Sequence, residues 1–221
     1  MSLNDAANEY KNKLYLELSK IGKGVSSDKR LEILDLLSQS PKSVDLLARQ
    51  SGMSVANTSR HLKILRESHL VSCSKKGNFV VYSLASKEVE QLFYLLRDVG
   101  EQQLSAMRII QQNLDAEESV RTLDLSTATK LLERNDVELL DVRPVEEFSA
   151  GHIPGAINIP MDQLFERVDS LDTNKDIIVY CRGHLCALTN QATKMLNENG
   201  HNAYSLNESY FDWRQFMGQQ A

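Results

Sequence analysis

Two cysteines five positions apart, Cys181 and Cys186, are the residues of this chain best suited to covalent chemistry. A short apolar run, residues 176–180, leads into Cys181, and a helical pattern begins at Leu188. Backbone N–H groups converge where a strand passes into a helix, and the helix dipole favours negative charge there. We therefore expect a lowered pKa for the Cys181 thiol and a nucleophilic thiolate near neutral pH.

A second group of candidate residues lies on a predicted helix that begins after Ser54, a good N-cap residue. Asn57, Arg60 and His61 share one face of this helix, whereas Thr58 falls with Val55, Leu62 and Leu65 on the other. A polar face near the start of such a helix is where a helix-turn-helix presents side chains to the major groove. The pattern thus indicates DNA recognition.

The elements that must position these residues differ between the two halves of the chain. Before residue 114 the periodicity is helical, in residues 4–20 and 29–38 and in a short helix from a cap at Ser43 through Arg49. The turn at Gly52 joins that helix to the one after Ser54. Two strand-like runs then follow, 71–75 and 79–84, joined through Lys76, Gly77 and Asn78.

Beyond an acidic stretch at residues 115–118, short apolar runs alternate with helical segments. The runs 137–142, 156–159, 177–180 and 203–206 predict an α/β domain with a largely parallel sheet. Asp141 lies at the end of the first of these runs, and Arg143 follows that run directly.

Length and charge support two domains. The chain has 221 residues and a net charge of −5. Residues 1–114 hold 16 Lys and Arg against 12 Asp and Glu, a net charge of +4, and residues 115–221 hold 9 against 18, a net charge of −9. A basic half beside an acidic half is expected where one domain meets a polyanion, although uneven solvated surfaces would give the same balance.

Composition, apolar run lengths and the N-terminal pattern predict a folded protein of the cytoplasm. Apolar residues make up 42% and charged residues 25%, which argues against intrinsic disorder. No apolar run approaches the length of a membrane helix, and the N-terminus has no export pattern. We expect no membrane association and mostly reduced cysteines.

The motif DVRPVEEFSAGHIPGAINIP followed by IVYCRGHLC resembles the rhodanese domain, over about residues 119–217. The resemblance implies that Cys181 accepts a sulfane sulfur as a persulfide and passes it to an acceptor thiol. It also places Asp141 and Arg143 beside the active loop, where a structural salt bridge is an equal alternative. In physical terms, the loop amides would hold the persulfide and the oxyanion of the donor.

The active loop departs from the rhodanese pattern Cys-x-x-Gly-x-Arg. Gly183 is at the second place after Cys181, and Cys186 replaces the terminal Arg. Loss of that cation weakens the case for turnover of anionic thiosulfate and for a phosphatase or arsenate enzyme. Cys186 could resolve a persulfide on Cys181 with release of sulfide, or point into the core. His184 could stabilise the thiolate or face solvent.

The first half resembles the winged-helix domain of the ArsR family of bacterial repressors, over about residues 4–112. Helix, turn, helix, the SRHLKIL register and a basic hairpin, the wing, occur together in SVDLLARQSGMSVANTSRHLKILRESHLVSCSKKGNFVVYSL. The alternative is a generic helical domain with an ordinary hairpin.

Residues 86–114 carry an apolar stripe at near-heptad spacing, about 43 Å long as one helix. The resemblance implies that the first and last helices form a homodimer interface, whereas the alternative is an intramolecular core helix. The stripe comprises Val89, Leu92, Leu96, Val99, Met107, Ile110 and Leu114.

Many members of that family sense metals, but neither residues 44–49 nor 86–114 contain Cys or His. Soft metals need thiolate or imidazole ligands, so no metal and no cofactor is predicted. Cys73, in a wing strand, is expected to be a small buried hydrophobe. The signal to the DNA-binding half must then come from elsewhere.

These observations predict a mostly α winged helix-turn-helix domain, residues 1–114, followed by an α/β rhodanese domain with a parallel sheet, residues 119–221. The predicted function is a homodimeric DNA-binding regulator that senses or relays sulfane sulfur. Its partners are an operator duplex and a small sulfur donor or acceptor thiol. The alternative is a sulfurtransferase that uses the winged helix for dimerisation or localisation. The predicted site residues are, for sulfur chemistry, Cys181, Asp141, Arg143, Arg182, Gly183, His184 and Cys186, and, for DNA binding, Ser54, Asn57, Thr58, Arg60, His61, Lys63, Lys75 and Lys76.

Overall fold

The computed structural model describes residues 3–77, 79–118 and 120–219, without the side chains of Leu3, Lys76, Asp115, Glu117 and Glu118. Asn78 of the wing turn and all three acidic side chains of the predicted linker therefore lie outside the described residues. The chain forms two compact units, Met1–Gly100 and Glu101–Ala221. The predicted rhodanese domain, residues 119–221, lies within the second of these units.

The first unit has the predicted helix, turn, helix and wing. Its elements are α1 (Leu3–Val25), α2 (Asp28–Gln39), β1 (Lys42–Ser43), α3 (Val44–Gln50), α4 (Val55–Glu67), β2 (Val71–Lys76), β3 (Phe79–Leu84) and α5 (Lys87–Gln103), whose last residues belong to the second unit. Ser43 and Ser54 cap α3 and α4, each accepting a backbone N–H at 3.3 Å. Gly52, with φ of +65°, makes the turn between them. The core is built from fully buried apolar residues, among them Leu34, Leu47, Leu62 and Leu65.

The wing is a β-hairpin within a three-stranded antiparallel sheet of order β1-β3-β2. Lys76 pairs with Phe79 at its tip. Cys73 lies on β2, an edge strand, and is exposed, so the prediction of a buried Cys73 is wrong. Its side chain points away from the core, and its sulfur lies 3.9 Å from a guanidinium nitrogen of Arg66.

The predicted apolar stripe over residues 86–114 is divided between two helices. α5 ends at Gln103, and α6 (Ser105–Glu118) begins after Leu104. The side chain of Arg108 donates to the carbonyl oxygens of Glu101 and Gln102 at 3.1 and 2.6 Å and so satisfies the end of α5. A continuous helix is therefore wrong, because a side chain one turn into α6 caps α5.

The second unit is the predicted α/β domain. After α6 it comprises β4 (Thr122–Leu123), α7 (Leu125–Leu132), β5 (Val137–Asp141), α8 (Val145–Ala150), β6 (Ile157–Asn158), α9 (Met161–Arg167), a 3₁₀ turn (Val168–Ser170), β7 (Asp176–Tyr180), α10 (Leu188–Glu198), β8 (Asn202–Leu206) and α11 (Tyr210–Gly218). Its five strands are all parallel, in the order β4-β8-β7-β5-β6.

Two apolar clusters cover the faces of this sheet, which explains why its central strands are almost wholly apolar. Ile177 and Val179 of β7 point to one cluster, and Ile178 and Tyr180 point to the other. Because the strands are parallel, β5 and β7 end at one edge of the sheet, where Asp141 pairs with Tyr180. None of the helices in the described part of the chain is long and apolar enough to cross a membrane.

Candidate functional site

The loop between β7 and α10, residues 181–187, carries both reactive thiols and is called the active loop below. Cys181 lies at its base and is 1% exposed. Gly183 has a φ of +98°, and a Cβ there would lie 3.0 Å from the backbone nitrogen of Ser209. Glycine at this position therefore lets the loop pass close to the segment before α11. The amide of Cys186 donates to the Gly183 carbonyl at 2.9 Å and closes the turn.

The two thiols form a pair, with 3.1 Å between their sulfur atoms. Hydrogen bonding to Cys181 lowers the pKa of Cys186 to about 6, against a smaller effect of burial, with help from the Leu188 N–H and the Arg182 charge. The same hydrogen bond, followed by burial, raises the pKa of Cys181 above its usual range. Burial of Cys181 beside a second thiol therefore opposes the lowering of its pKa that the helix start predicts.

The surroundings of Cys186 combine packing and contact with the other thiol. Its side chain is half-buried and packs against the apolar cluster on one face of the sheet, while its sulfur contacts Cys181. A thiol this close can attack a sulfur atom attached to its neighbour without a large rearrangement of the loop.

Arg182 is held by a buried carboxylate that the sequence analysis missed. Its Nε and Nη2 atoms donate to the two carboxylate oxygens of Glu147 at 2.9 and 2.7 Å. Glu147 belongs to α8 and is 1% exposed. Burial works against the charge of Arg182, but the pairing with Glu147 raises the pKa of Arg182 above its usual range. Arg182 is therefore a fixed cation beside the thiols rather than a mobile anion binder.

Asp141 and Arg143 form a buried ion pair at the sheet edge, with 2.6 Å between Nη2 and Oδ2. Arg143 also donates to the Gly151 carbonyl at 2.8 Å, and Asn158 donates to the carbonyls of both Asp141 and Arg143. The guanidinium carbon lies 5.6 Å from the ring centroid of Tyr180, the residue before Cys181. These contacts fasten the end of β5 to the turn after α8. Asp141 and Arg143 thus form the structural salt bridge that the sequence left open as an alternative.

His184 joins the active loop to the last turn of α5. Its Nδ1 lies 3.2 Å from Glu101, and its Nε2 lies 3.0 Å from Glu208, which precedes α11. Hydrogen bonds to Glu101 and then Glu208 raise the pKa of His184 to about 10. The imidazole is therefore charged at neutral pH. It holds the segments that carry Glu101 and Glu208 against the loop, and it contacts these two carboxylates instead of facing solvent.

A cleft of about 420 Å³ opens beside the active loop. Cys186 and His184 contribute to its wall, and Cys181 does not. A more apolar cavity of about 320 Å³ adjoins it, sharing Gln111, Leu114 and His184 and adding Met107, Ile110, Leu185 and Ala187. The cleft is lined by Gln111, Leu114, Thr122, Leu123, Asp124, His184, Cys186, Asn207 and Glu208.

On α4, the polar face that the sequence predicted is exposed in part. Asn57 and Arg60 are exposed, and His61 is half-buried with its Nδ1 unpaired among the described residues. Thr58 is fully buried and its hydroxyl donates to the Ser54 carbonyl at 3.1 Å. Thr58 is therefore not a DNA contact, since it faces the core with Leu62 and Leu65.

The remaining predicted DNA contacts lie at the cap of α4, on its outer side and in the wing. Ser54 is exposed and engaged as the N-cap of α4. Lys63 is exposed, with Glu67 at 3.9 Å one turn away. Lys75 on β2 is exposed, and the side chain of Lys76 lies outside the described residues.

Each half of the chain matches a known protein family. The family model "Rhodanese-like domain" matches residues 124–216, and "Bacterial regulatory protein, arsR family" matches residues 27–72. A relative covers both halves at once. It is the HTH-type transcriptional regulator Rv0324 of Mycobacterium tuberculosis, 33% identical over 201 residues, which are 90% of this chain and 87% of the relative.

The chain belongs to the ArsR family of transcriptional regulators, in a form fused to a rhodanese domain. Among solved structures, the homodimeric winged helix-turn-helix domain Mb0332 of Mycobacterium bovis is 30% identical, covers 48% of this chain and 93% of that one, and has a TM-score of 0.42. A rhodanese-related protein of Thermoplasma volcanium is 25% identical, covers 43% and 92%, and has a TM-score of 0.39.

The site of this ArsR-rhodanese fusion also includes three acidic residues that the sequence motifs do not indicate. They are the acidic partners Glu147, Glu101 and Glu208. Glu147 could have been suspected only from its place in the rhodanese-like motif, because an acidic residue in the first turn of a helix ordinarily faces solvent. Glu101 and Glu208 are distant from His184 in sequence, and no local pattern indicates their meeting.

Proposed function

We propose that this ArsR-type regulator binds an operator in the cytoplasm as a homodimer and that its active loop reports sulfane sulfur to the DNA-binding half. The observation that carries the sulfur proposal is the pair of thiols 3.1 Å apart at the strand-to-helix loop of a rhodanese domain. Oxidised or persulfidated forms of such a pair differ in shape and charge from the dithiol.

The proposed dimer rests on apolar faces that the first unit leaves exposed. On α1 these include Tyr10, Leu14 and Leu18, each more than half exposed, and on α5 they include Leu96 and Val99. Faces of this extent on a small unit mark an interface, and a second copy of the chain supplies a matching face. The homodimer of the Mycobacterium bovis domain supports the same assembly.

The proposed DNA contacts are the exposed polar side chains of α4, with Arg60 and Asn57 reading base edges and His61 beside them. Lys75 would contact phosphate from the wing. Arginine pairs bidentately with guanine, and asparagine pairs with adenine, whereas lysine neutralises phosphate without reading sequence.

The proposed signal begins as sulfur transfer to the active loop. A thiolate of the pair attacks the sulfane sulfur of a donor, a new S–S bond forms, and the remainder of the donor leaves as an anion. Attack by the second thiol on the modified one then forms the Cys181–Cys186 disulfide and expels sulfide. The two cysteines lose two electrons, which the sulfane sulfur gains.

The proposed route to the DNA-binding half passes through His184 and Glu101. Glu101 lies in the last turn of α5, the helix that carries the proposed dimer face. Modification of the loop that moves His184 would change how that turn is held. Such coupling is typically about 1–3 kcal/mol.

A sulfurtransferase that uses its winged helix only for dimerisation is the competing function. It is favoured by the rhodanese loop itself and by a sulfurtransferase of Allochromatium vinosum, 32% identical over 76 residues, which are 34% of this chain and 69% of the relative. The absence of an arginine at the position of Cys186 argues for sensing over turnover of anionic donors.

Sulfur acceptance is tested by treating the reduced protein with inorganic polysulfide and measuring the masses of its tryptic peptides by mass spectrometry. Cleavage after Arg182 separates the two cysteines into residues 176–182 and 183–194. We expect added sulfur or a disulfide on these peptides, and none in a Cys181→Ser/Cys186→Ser double variant. Sulfur confined to Cys73 would contradict the proposal. Catalytic release of sulfide with a thiol acceptor, without any effect on DNA binding, would favour the sulfurtransferase.

A further inference from the structure

The two thiols of the active loop differ in access. Cys181 is 1% exposed and does not line the cleft, whereas the half-buried Cys186 forms part of the cleft wall. A donor that enters the cleft therefore meets the sulfur of Cys186 before it can reach the sulfur of Cys181. This order is the reverse of the one that the rhodanese resemblance implies.

The cleft has an acidic lining. Asp124 and Glu208 contribute carboxylates, and Glu101 approaches His184 from α5. Among the described wall residues the cationic group is protonated His184, which is held between Glu101 and Glu208, and Asp124 adds a further negative charge to the wall. Arg182, the cation nearest the thiols, is committed to Glu147. No Lys or Arg is among the described residues of the cleft wall.

The remaining wall is apolar. Leu114 and Leu123 line the cleft, and the adjoining cavity adds Met107, Ile110 and Leu185. An acidic and apolar cleft repels thiosulfate and other dianions and accommodates an uncharged organic molecule.

We propose that Cys186 is the first sulfur acceptor of this protein and that its donor is an uncharged organic polysulfide, R–S–S–S–R, admitted through the cleft. This inference rests on the proposed sulfur-sensing function and assigns its entry point and donor class. Cys181 is then the inner thiol, which acts on sulfur already attached to Cys186.

The first step is a thiol exchange. The Cys186 thiolate attacks one sulfur of the trisulfide, an S–S bond to Cys186 forms, and one S–S bond of the donor breaks. The leaving sulfur departs as an alkanethiolate or alkyl persulfide anion and takes a proton from solvent. Cys186 is oxidised and the leaving sulfur is reduced, so no further reactant is required.

The order of the thiols is tested with dimethyl trisulfide as the donor and mass spectrometry of the two tryptic peptides after a rapid acid quench. In the parent chain we expect the adduct first on residues 183–194. Cys186→Ser should leave uptake on residues 176–182 at least about tenfold slower than the uptake of the parent chain on residues 183–194, as expected for a buried thiol. Earlier modification of Cys181 in the parent chain would overturn the inference while leaving the sensing function intact. Failure of every sulfur donor, inorganic polysulfide included, to modify either cysteine would overturn both.

The charge of the cleft is tested with iodoacetamide and iodoacetate, which have similar reactivity but differ by one negative charge. The preference of Cys186 for iodoacetamide should fall about threefold or more in Asp124→Asn, which removes a cleft charge and keeps an N-cap side chain. Glu166→Gln removes the same charge from the exposed side of α9 and should leave the preference unchanged. An equal preference in the parent, Asp124→Asn and Glu166→Gln proteins would overturn the assignment of an uncharged donor.

Discussion

Glu147 is the buried partner on which the position of Arg182 depends. Glu147→Gln leaves a guanidinium that is largely enclosed without its counter-charge, and breaking a buried ion pair in this way costs about 3–5 kcal/mol. We expect a lower urea midpoint for the second unit, followed by the fluorescence of Trp213, the one tryptophan of the chain. Glu138→Gln, at a partly exposed pair with Lys175, is the matched control and should cost less than about 1 kcal/mol. Equal losses in the two variants would contradict the role given to Glu147.

His184 makes the stability of the second unit depend on pH. Its pKa is raised to about 10 in the folded chain from an ordinary value of 6.5. The stabilisation by the charged imidazole is therefore fully present below pH 6.5 and is lost as pH rises towards 10. The urea midpoint of the parent should fall more between pH 7 and pH 10 than that of His184→Gln. Parallel pH profiles for the two proteins would show that Glu101 and Glu208 do not hold the imidazole.

At the scale of elements, α4 and the wing have separable roles in DNA binding. Arg60→Ala should cost about 1–3 kcal/mol of operator affinity and relax the sequence preference, because base contacts specify. Lys75→Ala should weaken binding to all duplexes alike. It should also reduce the slope of the logarithm of the binding constant against the logarithm of salt concentration by about one. Fluorescence anisotropy with operator and scrambled duplexes at several salt concentrations measures both effects. The reverse pattern would exchange the assignments of helix and wing.

The apolar face of α5 is predicted to be a dimer interface. Leu96→Glu places a charge on this face and should shift the protein from dimer to monomer in sedimentation equilibrium, with a loss of operator affinity. Phe165→Glu, on the exposed side of α9 outside this face, is the control and should leave the dimer intact. A dimer that survives Leu96→Glu and Leu14→Glu would place the interface elsewhere.

Local patterns predicted most elements of this fold and failed where distant contacts decide. Ser43, Ser54 and Gly52 signal the caps and turn of the helix-turn-helix by their own chemistry, and the four apolar runs became β5 to β8. The break at Leu104 was missed because a side chain of the next helix, Arg108, satisfies the end of α5. The thiol pair is a similar case, since the helix start near Cys181 is visible in the sequence but the contact of its sulfur with Cys186 is not.

At the scale of the whole molecule, α5 begins in the DNA-binding unit and ends three residues into the unit that carries the thiol pair. The contact of Glu101 with His184 makes the end of that helix part of the active loop's surroundings. Sensing requires that sulfur on the loop and operator on α4 change each other's binding, because coupling between sites is reciprocal.

The most direct test of the account is the operator affinity of the reduced and the polysulfide-treated protein, measured in parallel with Cys181→Ser and Cys186→Ser. We predict a change of about 5–150-fold on treatment of the parent chain. Dithiothreitol should reverse this change, and it should be absent from Cys181→Ser and from Cys186→Ser, since neither variant can form the Cys181–Cys186 disulfide. Equal affinities of the reduced and treated parent, with sulfur present on the loop, would contradict sensing and leave the rhodanese domain without influence on DNA binding.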